Sequence, residues 1–221
     1  MFESEKGLSK FYLVLLATAT TAVFAQIILA GCGRTWGGLT RCTYAGPWRT
    51  IDDFYLPGAT ATGDAGSHGV YQNPDGSLLA VGSARTSNVT SYSLIVRKLP
   101  TGSSTWSTVF TYMFSGDTGP FGITRGPLGE LLIYGYGTDG SGAHILVLRS
   151  NDNGGTWTKS YDGQFVANKD SYARALVVMP NSSLVMSGSY VDGSGKTHGF
   201  AMKSSDDGNT WATVDDYLPF G

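Results

Sequence analysis

The sequence predicts an all-β chain made of tandem four-stranded antiparallel units, and three observations predict it. Glycine occurs 31 times in 221 residues, roughly twice ordinary usage, which favours many short strands joined by tight turns. A 53-residue interval recurs: it separates Pro74, Pro127 and Pro180, then Leu78, Leu131 and Leu184, then Gly82, Gly135 and Gly188. Each repeat holds four short apolar runs, and the 3.6-residue period of a helical solenoid is absent.

In chain order, the first element is a targeting segment. Residues 11–30 are almost uninterruptedly apolar, Lys6 and Lys10 precede them, and the run ends in Leu29-Ala30-Gly31-Cys32. That tetrapeptide resembles the bacterial lipobox. The resemblance implies that 1–31 is a lipoprotein signal peptide and that Cys32 becomes a diacylglyceryl N-terminus. The apolar run is also long enough to span a bilayer uncleaved, and Glu3 and Glu5 dilute the positive start. All four lipobox positions match at the end of the run, which favours the lipid anchor. Gly33 after the cysteine favours the outer membrane, by resemblance to enteric sorting rules. Residues 32–47 have no period and read as a tether. A thioether sulfur cannot form a disulfide, so Cys42 is expected to be a lone thiol or to pair with another chain.

The repeats occupy residues 48–221. The opening run Trp48-Arg49-Thr50-Ile51-Asp52-Asp53-Phe54 matches Trp211-Ala212-Thr213-Val214-Asp215-Asp216-Tyr217, the last strand of the third unit. Three whole units follow it. In each, a strand, a proline-containing turn and a second strand precede a third apolar strand, which ends in Arg97, Arg149 or Lys203. A fourth strand begins at Trp106, Trp157 or Trp211. Four short antiparallel strands per repeat make one β-propeller blade. About three blades do not close the usual ring of roughly four to eight. The expectation is an incomplete ring whose end faces carry apolar alternation meant for a neighbour, in a truncated or self-associating chain.

The turns before two of the tryptophans carry a family resemblance. Ser150-Asn151-Asp152-Asn153-Gly154-Gly155-Thr156-Trp157 and Ser204-Ser205-Asp206-Asp207-Gly208-Asn209-Thr210-Trp211 share the pattern S-x-D-x-G-x-T-W. This resembles the Asp box of bacterial sialidases and of many non-sialidase propellers, and so implies a sialidase-like propeller. The expected role of Ser150, Asp152, Gly154, Thr156 and Trp157, and of Ser204, Asp206, Gly208, Thr210 and Trp211, is structural. Aspartate accepts turn N–H groups, glycine supplies positive φ, and tryptophan buries its ring between sheets. The first unit keeps Gly102, Thr105 and Trp106 but has no aspartate.

A sialidase resemblance also implies a clamp of three arginines, a tyrosine nucleophile with a glutamate partner, and an Arg-Ile-Pro motif. The motif is absent here. Arg97 and Arg149 read as one repeated position, and Glu130, the only glutamate after the signal segment, aligns with Ser77 and Ser183. The reading is therefore a non-catalytic binding module. The alternatives are a sialidase-like glycoside hydrolase whose catalytic residues lie in further blades, and an envelope docking factor. His68, His144 and His198 read as exposed loop-edge residues, with no metal and no cofactor implied. A net charge of -2 and a pI of about 5.8 give no electrostatic footprint for nucleic acid. Asp64, Asp117 and Asp170 recur at the repeat interval, each entering a first strand. They form a candidate ligand or cation rim for a carbohydrate or protein, against the alternative of Asx turns.

Overall fold

The structure is a computed structural model that describes residues 52–54, 64–85 and 89–218. The chain divides between Asp53 and Phe54, and the architecture below is that of the second unit. Cys32, the tether and Cys42 lie outside the described residues, as does most of the strand expected over 48–54. Of that strand, residues 52–54 are described and are not in a β-ladder.

Among the described residues, twelve strands form three sheets. Blade 1 is β1 (Asp64–Gln72), β2 (Leu78–Arg85), β3 (Ser93–Leu99) and β4 (Ser107–Tyr112). Blade 2 is β5 (Thr118–Arg125), β6 (Leu131–Asp139), β7 (Gly142–Ser150) and β8 (Thr158–Gly163). Blade 3 is β9 (Ser171–Val178), β10 (Leu184–Val191), β11 (Thr197–Ser204) and β12 (Ala212–Tyr217). Each sheet keeps its strands in sequence order and every pair is antiparallel. These are propeller blades, and the three do not close a ring.

The core lies between blades, because blade 2 is apolar on both faces and blades 1 and 3 are apolar on the faces turned toward it. Leu79, Val81, Leu94 and Val96 of blade 1 pack on Leu131, Ile133, Leu146, Leu148 and Trp157 of blade 2. Leu132, Ile145 and Val147 on the other face of blade 2 pack on Leu184, Met186, Phe200 and Met202 of blade 3. Alternation along the middle strands therefore reads apolar at nearly every position, as it does in sheets covered on both sides. Full burial of one such leucine or isoleucine contributes about 1.5–3 kcal/mol.

Strand pairing corrects one alignment. Leu79 stands opposite Lys98, Leu132 opposite Arg149, and Val185 opposite Lys203. The partner of Arg149 in blade 1 is thus Lys98 and not Arg97, because the hairpin joining second and third strands differs in length from blade to blade. Lys98 Nζ reaches the Asn153 carbonyl in the turn of blade 2, at 3.1 Å. Arg97 lies on the opposite face, paired with Ala80, where blades 2 and 3 carry Leu148 and Met202. Phe54 lies 4.1 Å over its guanidinium.

The end faces also differ from expectation. On the face of blade 3 turned away from blade 2, the register puts Val185, Ser187, Gly199, Ala201 and Asp215 where blade 2 has Leu132, Tyr134, Ile145, Val147 and Tyr161. Small and charged residues replace the apolar ones at the middle of that face, while the exposed Tyr217 covers Gly199, and Val177 and Val185 keep the inner part apolar.

Candidate functional site

The inner strands hold a repeated device that re-aims one side chain per blade. β1, β5 and β9 lie next to one another. Each carries a β-bulge at the same position: pairing with the second strand slips between Ser67 and Gly69, between Pro120 and Gly122, and between Ala173 and Ala175. The extra residue is His68 in blade 1, Phe121 in blade 2 and Arg174 in blade 3. A bulge turns its extra residue out of the ladder and re-aims the side chain.

The bulges explain the glycine column. A Cβ added to Gly82, Gly135 or Gly188 would overlap the carbonyl oxygen of Gly66, Gly119 or Tyr172 on the inner strand. Glycine at these positions is what lets the bulged backbone approach its partner. The 53-residue repeat therefore fixes the bulge, while the residue it presents changes from His to Phe to Arg.

The presented residues meet across the blade boundary. Arg174 places its guanidinium 4.3 Å over the Phe121 ring and 5.0 Å over that of Tyr172. Tyr136 completes the cluster, 5.5 Å from Phe121 and 5.4 Å edge-on to Tyr172. Arg174 is exposed, and Phe121, Tyr136 and Tyr172 are half-buried. Burial first, then the Asp117 charge, raises the Tyr136 phenol above its ordinary value; burial and Asp170 do the same for Tyr172. Both phenols are neutral donors at neutral pH. His68 is exposed, with Nε2 3.3 Å from the Ser83 hydroxyl.

The rim aspartates have work inside the fold. Asp117 accepts the Tyr92 backbone N–H at 2.8 Å, and Asp170 accepts that of Ala143 at 2.8 Å. Each carboxylate thus ties the entry of one blade to the hairpin of the blade before it. Asp64 accepts from Arg85 at 2.6 Å and from the Tyr92 hydroxyl at 3.1 Å, and these bonds, Arg85 foremost, hold its carboxyl below the ordinary value. Asp64 and Asp117 meet at Tyr92, and among the described residues no group of three or more His, Cys, Asp or Glu could hold a metal ion.

His68 is an exposed edge as expected, but His144 and His198 are not. His144 Nδ1 lies 2.8 Å from Asp162 and Nε2 3.3 Å from Asp139, with 16% of the side chain exposed. His198 repeats the arrangement with Asp216 at 2.9 Å and Asp192 at 3.3 Å, 18% exposed. Both sit at the same register position, so this clamp between hairpin and outer strand belongs to the repeat. Asp216 above all raises the His198 value.

The two S-x-D-x-G-x-T-W turns are superimposable in their bonding. Asp152 accepts the Thr156 N–H at 2.8 Å and its hydroxyl at 2.7 Å, Ser150 accepts the Gly154 N–H at 2.9 Å, and Trp157 Nε1 donates to the Gly154 carbonyl at 3.2 Å. Asp206, Thr210, Ser204, Gly208 and Trp211 repeat each of these bonds. Gly154 and Gly208 have φ of 83° and 78°, a conformation that strains any other residue. In blade 1, where the aspartate is missing, the buried Trp106 Nε1 has no acceptor.

These turns make an acid-stability prediction. Bonds from the Thr210 hydroxyl and N–H and from Ser204 hold Asp206 down to about 2. Burial opposes the charge of Asp152, yet the Thr156 and Ser150 bonds outweigh it and bring that carboxyl to about 2 as well. A carboxyl depressed on folding lends stability that is fully present above its unfolded value and lost as pH falls through its folded one. The melting temperature should therefore drop between pH about 4 and about 2. The Asp152→Asn, Asp206→Asn double variant should start lower and lose less over that window; an equal loss in both proteins would refute the role of the turns.

No family model matches this chain, and no curated protein does either. Solved structures match. The α-L-arabinofuranosidase of Fusarium graminearum aligns at 17% identity and TM-score 0.53, over 71% of this chain and 49% of that one. The α-L-arabinanase of Penicillium chrysogenum aligns at 16% identity and TM-score 0.52, over 69% and 49%. The chain has their β-propeller fold. A Hadza microbial sialidase aligns at 17% identity and TM-score 0.49, over 67% and 36%. The match spans about half the length of the first two relatives, and at these identities it shows the fold alone.

Proposed function

We propose that this chain is a non-catalytic binding module, exported and held at the outer membrane by a diacylglyceryl group on Cys32. Its ligand is a carbohydrate seated on the bulge row. One observation carries the reading: the repeat conserves the bulge and its glycine in every blade while the presented residue changes chemistry. A purely structural position would repeat its residue, as the turns do. Phe121, Tyr136 and Tyr172 offer ring faces and edges to the C–H faces of a sugar, and Arg174 offers several N–H donors to hydroxyls or a carboxylate.

The fold likeness to an arabinofuranosidase and an arabinanase supports a second reading, a glycoside hydrolase completed by further blades. The purified chain, applied to a glycan array and in parallel incubated with arabino-oligosaccharides and sialyllactose, separates the two. Capture on the array with every oligosaccharide left intact is the expected result. Release of a monosaccharide would overturn the non-catalytic reading.

The lipid anchor makes its own prediction. Cys32→Ser should leave the precursor unprocessed and abolish labelling by a fatty-acid probe. Equal labelling of that variant would remove Cys32 as the attachment point.

A further inference from the structure

We infer that the ligand is a glycan chain bound along its length, with one sugar ring stacked on the cluster of Phe121, Tyr136 and Tyr172 and the next seated in a notch in blade 1. This deepens the binding-module reading and rests on it. One register position carries the inference. Ser83 pairs with Gly66, Tyr136 with Gly119, and Ser189 with Tyr172. Blades 2 and 3 each fill that position with one tyrosine, from the second strand in blade 2 and from the first in blade 3. Blade 1 places no ring there. A Cβ added to Gly119 would stand 2.9 Å from Tyr136 Cε1, so that ring lies across its glycine. At Gly66 a Cβ would find only His68 Nε2 within 4 Å among the described residues, its chain neighbours apart, and at 3.7 Å. Gly66 and His68 are exposed and Ser83 is half-buried, so the gap is open to solvent.

The notch has walls. Leu79 and Val81 pack on blade 2, and strand alternation turns Ser83 to the same side. The repeat thus puts Phe121 beside the notch as it puts Arg174 within electrostatic reach of Tyr136. Phe121 is therefore shared, bordering the notch on one side and the Arg174 cluster on the other. On the rim side, Arg85 lies 4.8 Å over the Tyr92 ring. Tyr92 is tied to blade 2 at two points: its N–H donates to Asp117 at 2.8 Å, and its carbonyl accepts the Thr118 N–H at 2.8 Å. The Arg85 guanidinium and the Tyr92 hydroxyl are both spent on Asp64. These two residues form the wall, and Ser83 and His68 are the polar groups turned to a ligand.

The shape and chemistry of the gap select its occupant. The space is that of one missing tyrosine ring, and a pyranose is a six-membered ring as well. Ser83 Oγ makes one contact, to His68 Nε2 at 3.3 Å, which leaves the hydroxyl and the second imidazole nitrogen able to bond sugar hydroxyls. On the other side of Phe121 the rings of Tyr136 and Tyr172 stand 5.4 Å apart and offer apolar contact. A polar notch and an aromatic platform side by side along the inner strands suit successive sugars of one chain, whereas a single terminal sugar would use only one of them.

The test is capture of the full chain on an array carrying arabinan, xylan, mannan and β-glucan fragments from monosaccharide to hexasaccharide. On the backbone that is captured, the signal should rise by about tenfold from monosaccharide to trisaccharide. Ser83→Tyr copies the blade 2 arrangement, a tyrosine opposite a glycine, into the notch. It should melt like the parent chain, keep the monosaccharide signal and lose the rise with length. His68→Ala, on an exposed residue, should also lower trisaccharide capture and spare that of the monosaccharide, and it decides the matter if Ser83→Tyr melts lower. Equal capture at every length, or a rise that survives both notch variants, would overturn the extended site and leave the binding-module reading standing. Capture of no glycan at all would overturn both.

Discussion

Trp157→Ala is expected to destabilise the chain by about 3–5 kcal/mol, the range for removing a large aromatic from a packed core. Trp157 is 7% exposed and belongs to the cluster between blades 1 and 2, against Leu79, Val96 and Leu148. Its ring also approaches Phe110, and its indole N–H closes the turn at the Gly154 carbonyl. Truncation opens a cavity bordered by two sheets that cannot collapse independently, and it leaves the Gly154 carbonyl without its donor. Equilibrium denaturation with urea checks it, with Trp106→Ala as the comparison. Trp106 has no second blade on its face within the described chain and should cost less. A Trp157→Ala loss no larger than that of Trp106→Ala would contradict the placement of the core between blades.

Gly135→Ala is the second large effect, and it reaches both stability and binding. The added Cβ would overlap the Gly119 carbonyl oxygen and stand 2.8 Å from the Pro120 Cα. Both contacts are backbone, so neither can swing aside. The bulge must open, at a cost above the roughly 1–3 kcal/mol typical of overpacking, and Phe121 loses its aim toward Arg174. Gly140→Ala is the control, because a Cβ there meets nothing within 4 Å. The expected outcome is a lower melting temperature and lost glycan capture for Gly135→Ala alone. Equal melting curves for the two variants would remove the glycine column from its role as the seat of the bulge.

The fold was legible in the sequence where the signal is local. The repeat of Pro, Leu and Gly and the two S-x-D-x-G-x-T-W turns depend on residues a few positions apart, and the blades follow from them. Register was harder to read. Hairpins of unequal length shift the third strands, so sequence spacing sets Arg97 against Arg149, whereas pairing puts Lys98 there. Side-chain exposure depends on partners distant in sequence, which is why His144 and His198 read as open edges although each lies between two aspartates. The end faces show the same limit: Asp215 and Gly199 follow from strand register, and composition says nothing of them.

The candidate site was the least legible part. A bulge is a pairing event between two strands, and no single strand announces it. One signal was nevertheless present: His68, Phe121 and Arg174 stand at the 53-residue interval, unlike one another, beside a glycine column that never changes. The aspartate rim stood out because it repeats, and its repetition reflects backbone bonds between blades. Repeated residues here hold the propeller together, and the residues that break the repeat are the ones presented.

That division of labour is most directly tested by comparing glycan-array capture and melting temperature for Phe121→Ala and Arg174→Ala with those for Asp206→Ala. The two bulge variants are expected to lose capture and melt like the parent chain, whereas Asp206→Ala melts lower and still captures glycan below its melting temperature. Capture that persists in both bulge variants, or that disappears in Asp206→Ala with its melting temperature intact, would contradict it.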